Sequence, residues 1–134
     1  MIRLASNMVL NHVTMLVEDL GRSVHFYSKI LGLPVVKTLE TQDRKTVFVQ
    51  ASTAMISLSA LKEEVVESPS TGQKDTGIKS VSFRVQNVEE AWKELLKRGV
   101  IFSSGPETAE DGHKKAAFTD PNGIVLELVE WPEQ

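Results

Sequence analysis

Close to the C-terminus the chain reads AAFTDPNGIVLELVEW, a run in which one carboxylate, Glu127, stands among valines and leucines. Strand side chains alternate between faces. Ile124, Leu126 and Leu128 therefore share one face, and Val125, Glu127, Val129 and Trp131 share the other. An ionised carboxylate among apolar side chains is costly unless it is paired, hydrogen-bonded or bound to a metal. Near the other terminus, NHVTMLV places an imidazole, His12, at the head of a second alternating run. Imidazole and carboxylate are the side chains best suited to moving a proton near neutral pH, and both ligate divalent ions. There are no cysteines, which removes disulfides, thiolate metal sites and a Cys nucleophile from consideration.

The elements that must position these residues occur twice. HVTMLVEDLGRSVHFYSKILG, beginning at His12, and SVSFRVQNVEEAWKELLKRG, beginning at Ser80, each open as a strand, pass an Asp or Asn cap and run into a helix that ends at glycine. The offset of 68 residues aligns Val13 with Val81, Met15 with Phe83, Val17 with Val85 and Asp19 with Asn87. MISL at Met55 matches VLEL at Val125 with an offset of 70. This pattern is an internal duplication. In the second copy Asn87 and Glu90 form an Asn variant of the capping box, Ala91, Leu95 and Leu96 make the apolar stripe, and Gly99 ends the helix. In the first, Asp19 caps, Val24, Tyr27, Ile30 and Leu31 face the core, Gly32 stops the helix and Pro34 prevents its continuation. Three strand-like runs follow each helix: PVVKTLE, KTVFVQA and AMISLSAL, then VIFSSG, KKAAFTD and GIVLELVEW, the last introduced by an Asp-Pro-Asn-Gly turn. The spacing predicts an α+β fold of two tandem βαβββ modules, at about 8–61 and 77–132, with a polar linker over 62–76 that reads as mobile. At 134 residues the chain fits a single domain over 1–134.

Alternation also assigns faces. Val13, Met15 and Val17 oppose Leu10, His12, Thr14 and Leu16, and Val81, Phe83 and Val85 oppose Ser80, Ser82 and Arg84. A helix should cover each wholly apolar face, which directs the mixed faces of two curved sheets into a shared cavity. Ile124, Leu126 and Leu128 match a helix better than their opposites do. That places Glu127 in the cavity with His12, Thr14, Ser80, Ser82 and Arg84.

With these motifs in place the sequence resembles the vicinal oxygen chelate superfamily, which includes glyoxalases, extradiol dioxygenases, epimerases and bleomycin- or fosfomycin-resistance proteins. The resemblance rests on the paired modules, the opening strand with His12, FYSKILGLPV and FTDPNGIVLELVE, and spans Val9 to Trp131. It implies lyase, isomerase or dioxygenase chemistry on a small molecule, in which a divalent ion chelates adjacent substrate oxygens. It also implies association into a homodimer. Ligands in metal-bearing members come from an early residue of the first strand and a residue of the last strand of each module. Carried over, these are His12 and Ser57, then Ser80 and Glu127. His12 and Glu127 match the ligand types; Ser57 stands where a carboxylate or amide is usual and Ser80 where histidine is usual. His12 and Glu127 are thus candidates both as metal ligands and as an acid–base pair, with Thr14, Ser57, Ser80, Ser82 and Arg84 as substrate-binding residues. A direct or water-bridged hydrogen bond between the two, an inherited structural pair, or partial solvation of Glu127 are open alternatives, and a metal-free protein that sequesters a drug or metabolite is the alternative function.

Other candidates have plainer readings. His25 is a solvated helical residue, His113 after Asp111-Gly112 is a loop residue that could reach the cavity rim and replace a ligand, and Arg84 is a receptor for an anion or a strand-end ion pair. Trp92 and Trp131 are packing residues. Fifteen basic against eighteen acidic side chains, with no long run of one sign, argue against nucleic acid or an anionic membrane as partner. No segment approaches the roughly 20 apolar residues of a membrane span, and the N-terminus lacks a signal-peptide core. The expected compartment is the cytoplasm.

Overall fold

The computed structural model describes residues 8–62, 78 and 80–132. The linker expected at 62–76 lies, from residue 63 onward, outside the described residues. The chain divides into two compact units, 1–65 and 66–134. Each is a βαβββ module built on a four-stranded mixed sheet, which makes the fold α+β.

In the first unit β1 (His12–Leu16) leads into α1 (Leu20–Val24), and β2 (Val35–Glu40), β3 (Arg44–Ala51) and β4 (Ala54–Leu61) follow. The sheet order is β1-β4-β3-β2, with β1 parallel to β4 and the other pairs antiparallel. Asp19 caps α1 by accepting from the Arg22 N–H at 3.0 Å. The helix then widens into a π-helical segment over His25–Ile30, with Leu31 N–H bonded to Phe26 C=O at 2.9 Å and the Ser28 hydroxyl donating to Val24 C=O at 2.6 Å. Widening changes which side chains point inward. Phe26, Tyr27 and Ser23 are buried, whereas Val24, Ile30 and Leu31, expected in the core from a regular helical period, are half-buried. Tyr27 donates to Met15 Sδ at 3.4 Å, which ties this segment to the face of the sheet carrying Met15, Leu58 and Val47.

The second unit repeats the plan with β5 (Val81–Arg84), α2 (Val88–Lys97), β6 (Phe102–Thr108), β7 (Lys114–Thr119) and β8 (Val125–Glu130), in sheet order β5-β8-β7-β6. Asn87 Oδ1 accepts from the Glu90 N–H at 3.0 Å, as the capping pattern required. A Schellman ending closes α2: Val100 N–H bonds Leu95 C=O at 3.0 Å and Gly99 N–H bonds Leu96 C=O at 3.1 Å, with Gly99 at φ 90°. The stripe facing the sheet is Val88, Ala91, Trp92 and Leu95; Leu96, expected within it, is exposed. The stripe is set by where α2 enters. Glu130 on β8 accepts from the Val88 N–H at 2.9 Å, fixing the first turn and favouring the positive end of the helix dipole. Below the helix Val81, Leu126 and Phe118 form one cross-strand row and Phe83, Leu128 and Ala116 the next. Asp120 organises the turn into β8 by accepting from the N–H groups of Asn122 and Ile124, both at 2.8 Å, while Gly123 supplies φ 85°. Among the described residues no helix is long and apolar enough to cross a membrane.

Candidate functional site

In each unit the face opposite the helix stays uncovered by its own helix, and the sequence-predicted site residues fall on it. On β1, His12, Thr14 and Leu16 are exposed while Met15 is buried; on β5, Ser82 and Arg84 are exposed while Val81 and Phe83 are half-buried. Ser80 lies just before β5 and is half-buried.

Glu127 shares a cross-strand row with Ser82 on β5 and Ala117 on β7. Both neighbours are small, so the carboxylate is not enclosed by its own row. It is half-buried, and within its own unit it has no hydrogen-bond or ion-pair partner among the described residues. Arg84 stands one row further on, beside Val129 and near Lys115 across β8, and forms no ion pair among the described residues.

On the first sheet His12 Nδ1 lies 2.9 Å from Asn11 Oδ1. An amide oxygen can only accept, so Nδ1 is the donor in this contact, and in the neutral ring that leaves Nε2 as the acceptor. The edge of the imidazole meets the Phe48 ring at 5.4 Å. Thr14 and Ser57 are cross-strand neighbours, and the Ser57 hydroxyl donates to Thr14 Oγ1 at 2.6 Å. Ser57 is 1% exposed.

These donors test the divalent ion implied by the resemblance. Two of the four carried-over positions offer a neutral hydroxyl in place of an anionic or imidazole ligand, and the hydroxyl of Ser57 is already engaged by Thr14. Among the described residues no group of three or more His, Asp or Glu side chains gathers. The residues present do not fit a tightly held divalent ion. His113 does not repair the set: it sits four residues from Ala117, about 13 Å along β7 from the Glu127 row. There its ring bonds the Asp111 carboxylate and lies 4.8 Å from the Trp131 ring. The His113 backbone N–H, followed by its ring, holds the Asp111 carboxyl below its ordinary value of 3.8. His113 and Trp131 thus close the β6–β7 turn against the end of β8. Trp92 packs on Phe102 at 6.5 Å, and His25 is exposed on the helix.

Two residues of the first open face were not singled out in the sequence: Arg44 and Lys37. Arg44 Nη1 donates to Ser59 Oγ at 2.9 Å, and the Lys37 ammonium lies 5.6 Å from the Phe48 ring centroid. The alternation Arg44, Thr46, Phe48, Gln50, set against Met55, Ser57, Ser59, was the available signal for Arg44. Lys37 follows an irregularity in β2 that alternation alone does not reveal.

The comparisons agree with this architecture over almost the whole chain. The family model described as Glyoxalase/Bleomycin resistance protein/Dioxygenase superfamily matches residues 9–128. A lactoylglutathione lyase from Escherichia coli O157:H7 is 31% identical over 132 residues, covering 92% of this chain and 93% of the relative. Among solved structures, a glyoxalase family protein from Enterococcus faecalis superposes with a TM-score of 0.75 at 21% identity, covering 91% of this chain and 97% of that one. A superfamily member from Sphaerobacter thermophilus gives 0.73 at 27% identity, covering 92% and 97%. On the strength of its two βαβββ modules and a family match that runs from Val9 to Leu128, the chain belongs to the glyoxalase/bleomycin resistance protein/dioxygenase superfamily.

Proposed function

We propose that the protein takes up a small organic molecule on the uncovered faces of its sheets, the two units serving one function, and that it does so without a resident divalent ion. The observation that carries this reading is the buried Ser57 hydroxyl, bonded to Thr14 at the position where metal-bearing members of the superfamily supply a ligand. In this reading His12 Nε2 accepts a proton from the bound molecule and Glu127 holds or returns one. Thr14, Ser80, Ser82 and Arg84 orient its polar groups, and buried Ser57, expected from sequence among them, acts by holding the Thr14 hydroxyl in place. A protein that only sequesters its ligand would use the same floor and omit the proton transfer. Elemental analysis of untagged protein purified without chelator should return well below one transition-metal ion per chain, and ligand-observed NMR against a fragment library should find binders to metal-stripped protein. A stoichiometric metal, or binding that appears only when metal is restored, would contradict the proposal.

A second reading has its own support in the 31% identity to lactoylglutathione lyases. It makes the protein an enzyme that interconverts S-lactoylglutathione with its thiol and aldehyde components. Turnover of that thioester by the full chain, abolished in Glu127→Gln, would favour it over simple binding.

Association into a homodimer belongs to the same proposal. β2 is exposed along its whole length and carries Val35 and Val36 at 46% and 50% exposure, an apolar edge that a second copy would cover. Sedimentation velocity at micromolar concentration should give a dimer; a monomer that retains full ligand affinity removes the need for one. The cysteine-free sequence suits a reducing compartment, and we place the activity in the cytoplasm.

A further inference from the structure

The floor of the first sheet has a consistent electrostatic sign. Its cross-strand rows are His12–Met55–Gln50, Thr14–Ser57–Phe48–Lys37 and Leu16–Ser59–Thr46–Leu39, and Arg44 reaches back over the last of these from the start of β3. Two fixed cations and an imidazole stand on this face, and none of the residues in these three rows is a carboxylate. Two nearby acids are engaged elsewhere. Glu40 lies on the opposite face and pairs with Lys62 at 3.3 Å, and Asp43 accepts from the Thr41 hydroxyl at 3.2 Å in the β2–β3 turn. Arg44 and Lys37 form no ion pair among the described residues.

The Arg44 guanidinium is held in place by a buried partner. Ser59, 3% exposed, accepts from Nη1 and lies 2.9 Å from the Thr46 hydroxyl. That contact engages one N–H of Nη1 and leaves most of the planar donor fork for another group. The Lys37 ammonium is carried over the Phe48 ring, one row away, or about 7 Å along the strands. One oxyanion lying between the rows would draw on both charges. Leu16 and Leu39, exposed at 69% and 47% at either end of the Ser59 row, offer apolar contact beside it. Serine at 57 matters here as well. A carboxylate at that position would place a negative charge in the middle of the floor, and the hydroxyl leaves the positive sign undiluted.

We propose that the open face of the first sheet is an oxyanion subsite. The Arg44 guanidinium and Lys37 ammonium receive a carboxylate or phosphate group of the ligand, and Leu16 and Leu39 contact its apolar part. This rests on the small-molecule reading above and specifies the ligand class as an organic anion. The test is a titration of the isotope-labelled full chain, followed by amide NMR, with benzoate, phenyl phosphate and the neutral isostere benzamide. Benzoate or phenyl phosphate should shift the amides of Arg44 to Phe48 and Ser57 to Ser59, the tighter of the two identifying the oxyanion. Benzamide should bind about tenfold more weakly, as expected when a charged hydrogen-bond partner is lost. Arg44→Gln should weaken the anion by a similar factor of about ten while Arg44→Lys retains part of the affinity, with native amide dispersion in both. Lys37→Gln provides an independent loss of charge away from the Ser59 contact. Equal binding of benzamide and benzoate on this face would overturn the subsite and leave the small-molecule reading standing. So would an anion affinity indifferent to both Arg44→Gln and Lys37→Gln. If no probe perturbs this face, the subsite is wrong, and the fragment screen decides the broader reading by itself.

Discussion

Ser80→His is expected to tighten the binding of a divalent transition metal by on the order of tenfold or more, and adding Glu127→Gln is expected to abolish most of that gain. Ser80 stands two residues before Ser82, the cross-strand neighbour of Glu127, so an imidazole at position 80 begins about 7 Å along the strand from the carboxylate row. A histidine side chain can reach diagonally across that distance. The new ligand supplies a nitrogen where the hydroxyl is a poor donor, and it would act together with Glu127 of the same sheet. Calorimetric titration with zinc of the natural chain, the single variant and the double variant separates the contributions. No gain from histidine at 80, or a gain that survives neutralisation of Glu127, would show that these positions do not converge on one point. The carry-over from the superfamily's ligand pattern would then be wrong for this chain. The experiment also bears on why the natural chain is unsuited to holding a metal, because it restores one of the two altered positions and leaves Ser57 engaged with Thr14.

Phe118→Ala is expected to cost about 3–5 kcal/mol of folding stability, a large share of the roughly 5–15 kcal/mol typical of a small protein. The ring is fully buried, packs 5.0 Å from Phe102 and shares its cross-strand row with Leu126. Truncation removes its transfer free energy and leaves a cavity that two paired strands cannot easily close. Leu96→Ala is the informative control. Leu96 belongs to the apolar stripe expected from sequence but is 42% exposed on α2, so its loss should cost no more than about 0.5 kcal/mol. Urea denaturation of both variants gives the comparison. A cost below about 1 kcal/mol for Phe118→Ala, or a larger cost for Leu96→Ala, would mean that the core of the second unit is packed differently from this description.

Much of this fold was legible along the chain because it depends on short-range chemistry. The period-two alternation of β1, β5 and β8 separates Met15, Phe83 and Leu128 from His12, Ser82 and Glu127, and the structure keeps that separation. The Asp19 and Asn87 caps are single hydrogen bonds within three residues of sequence. The Asp-Pro-Asn-Gly turn works through the Asp120 carboxylate and the positive φ of Gly123. Each of these is fixed by residues that are neighbours in sequence, so reading them requires no knowledge of what lies across a sheet.

Tertiary structure decided what distant segments do to one another. The π-helical widening after Val24 and the burial of Phe26 in place of Ile30 reflect packing of the segment over the first sheet, which a regular helical period does not contain. The choice of Val88 and Trp92 over Leu96 on α2 follows from the entry point set by Glu130, 42 residues away in sequence. The hydrogen bond from Ser57 to Thr14 spans 43 residues and bears directly on function, because it turns a candidate ligand position into a satisfied hydroxyl. Arg44 and Lys37 likewise acquire meaning only when the register of β2, β3 and β4 sets them over Phe48 and Ser59. The sequence by itself determined the modules, their faces and the chemical types available on them. Which of those side chains meet was decided by strand register and helix docking, because hydrogen bonds and charge pairs act over a few ångströms in space, whatever the separation along the chain.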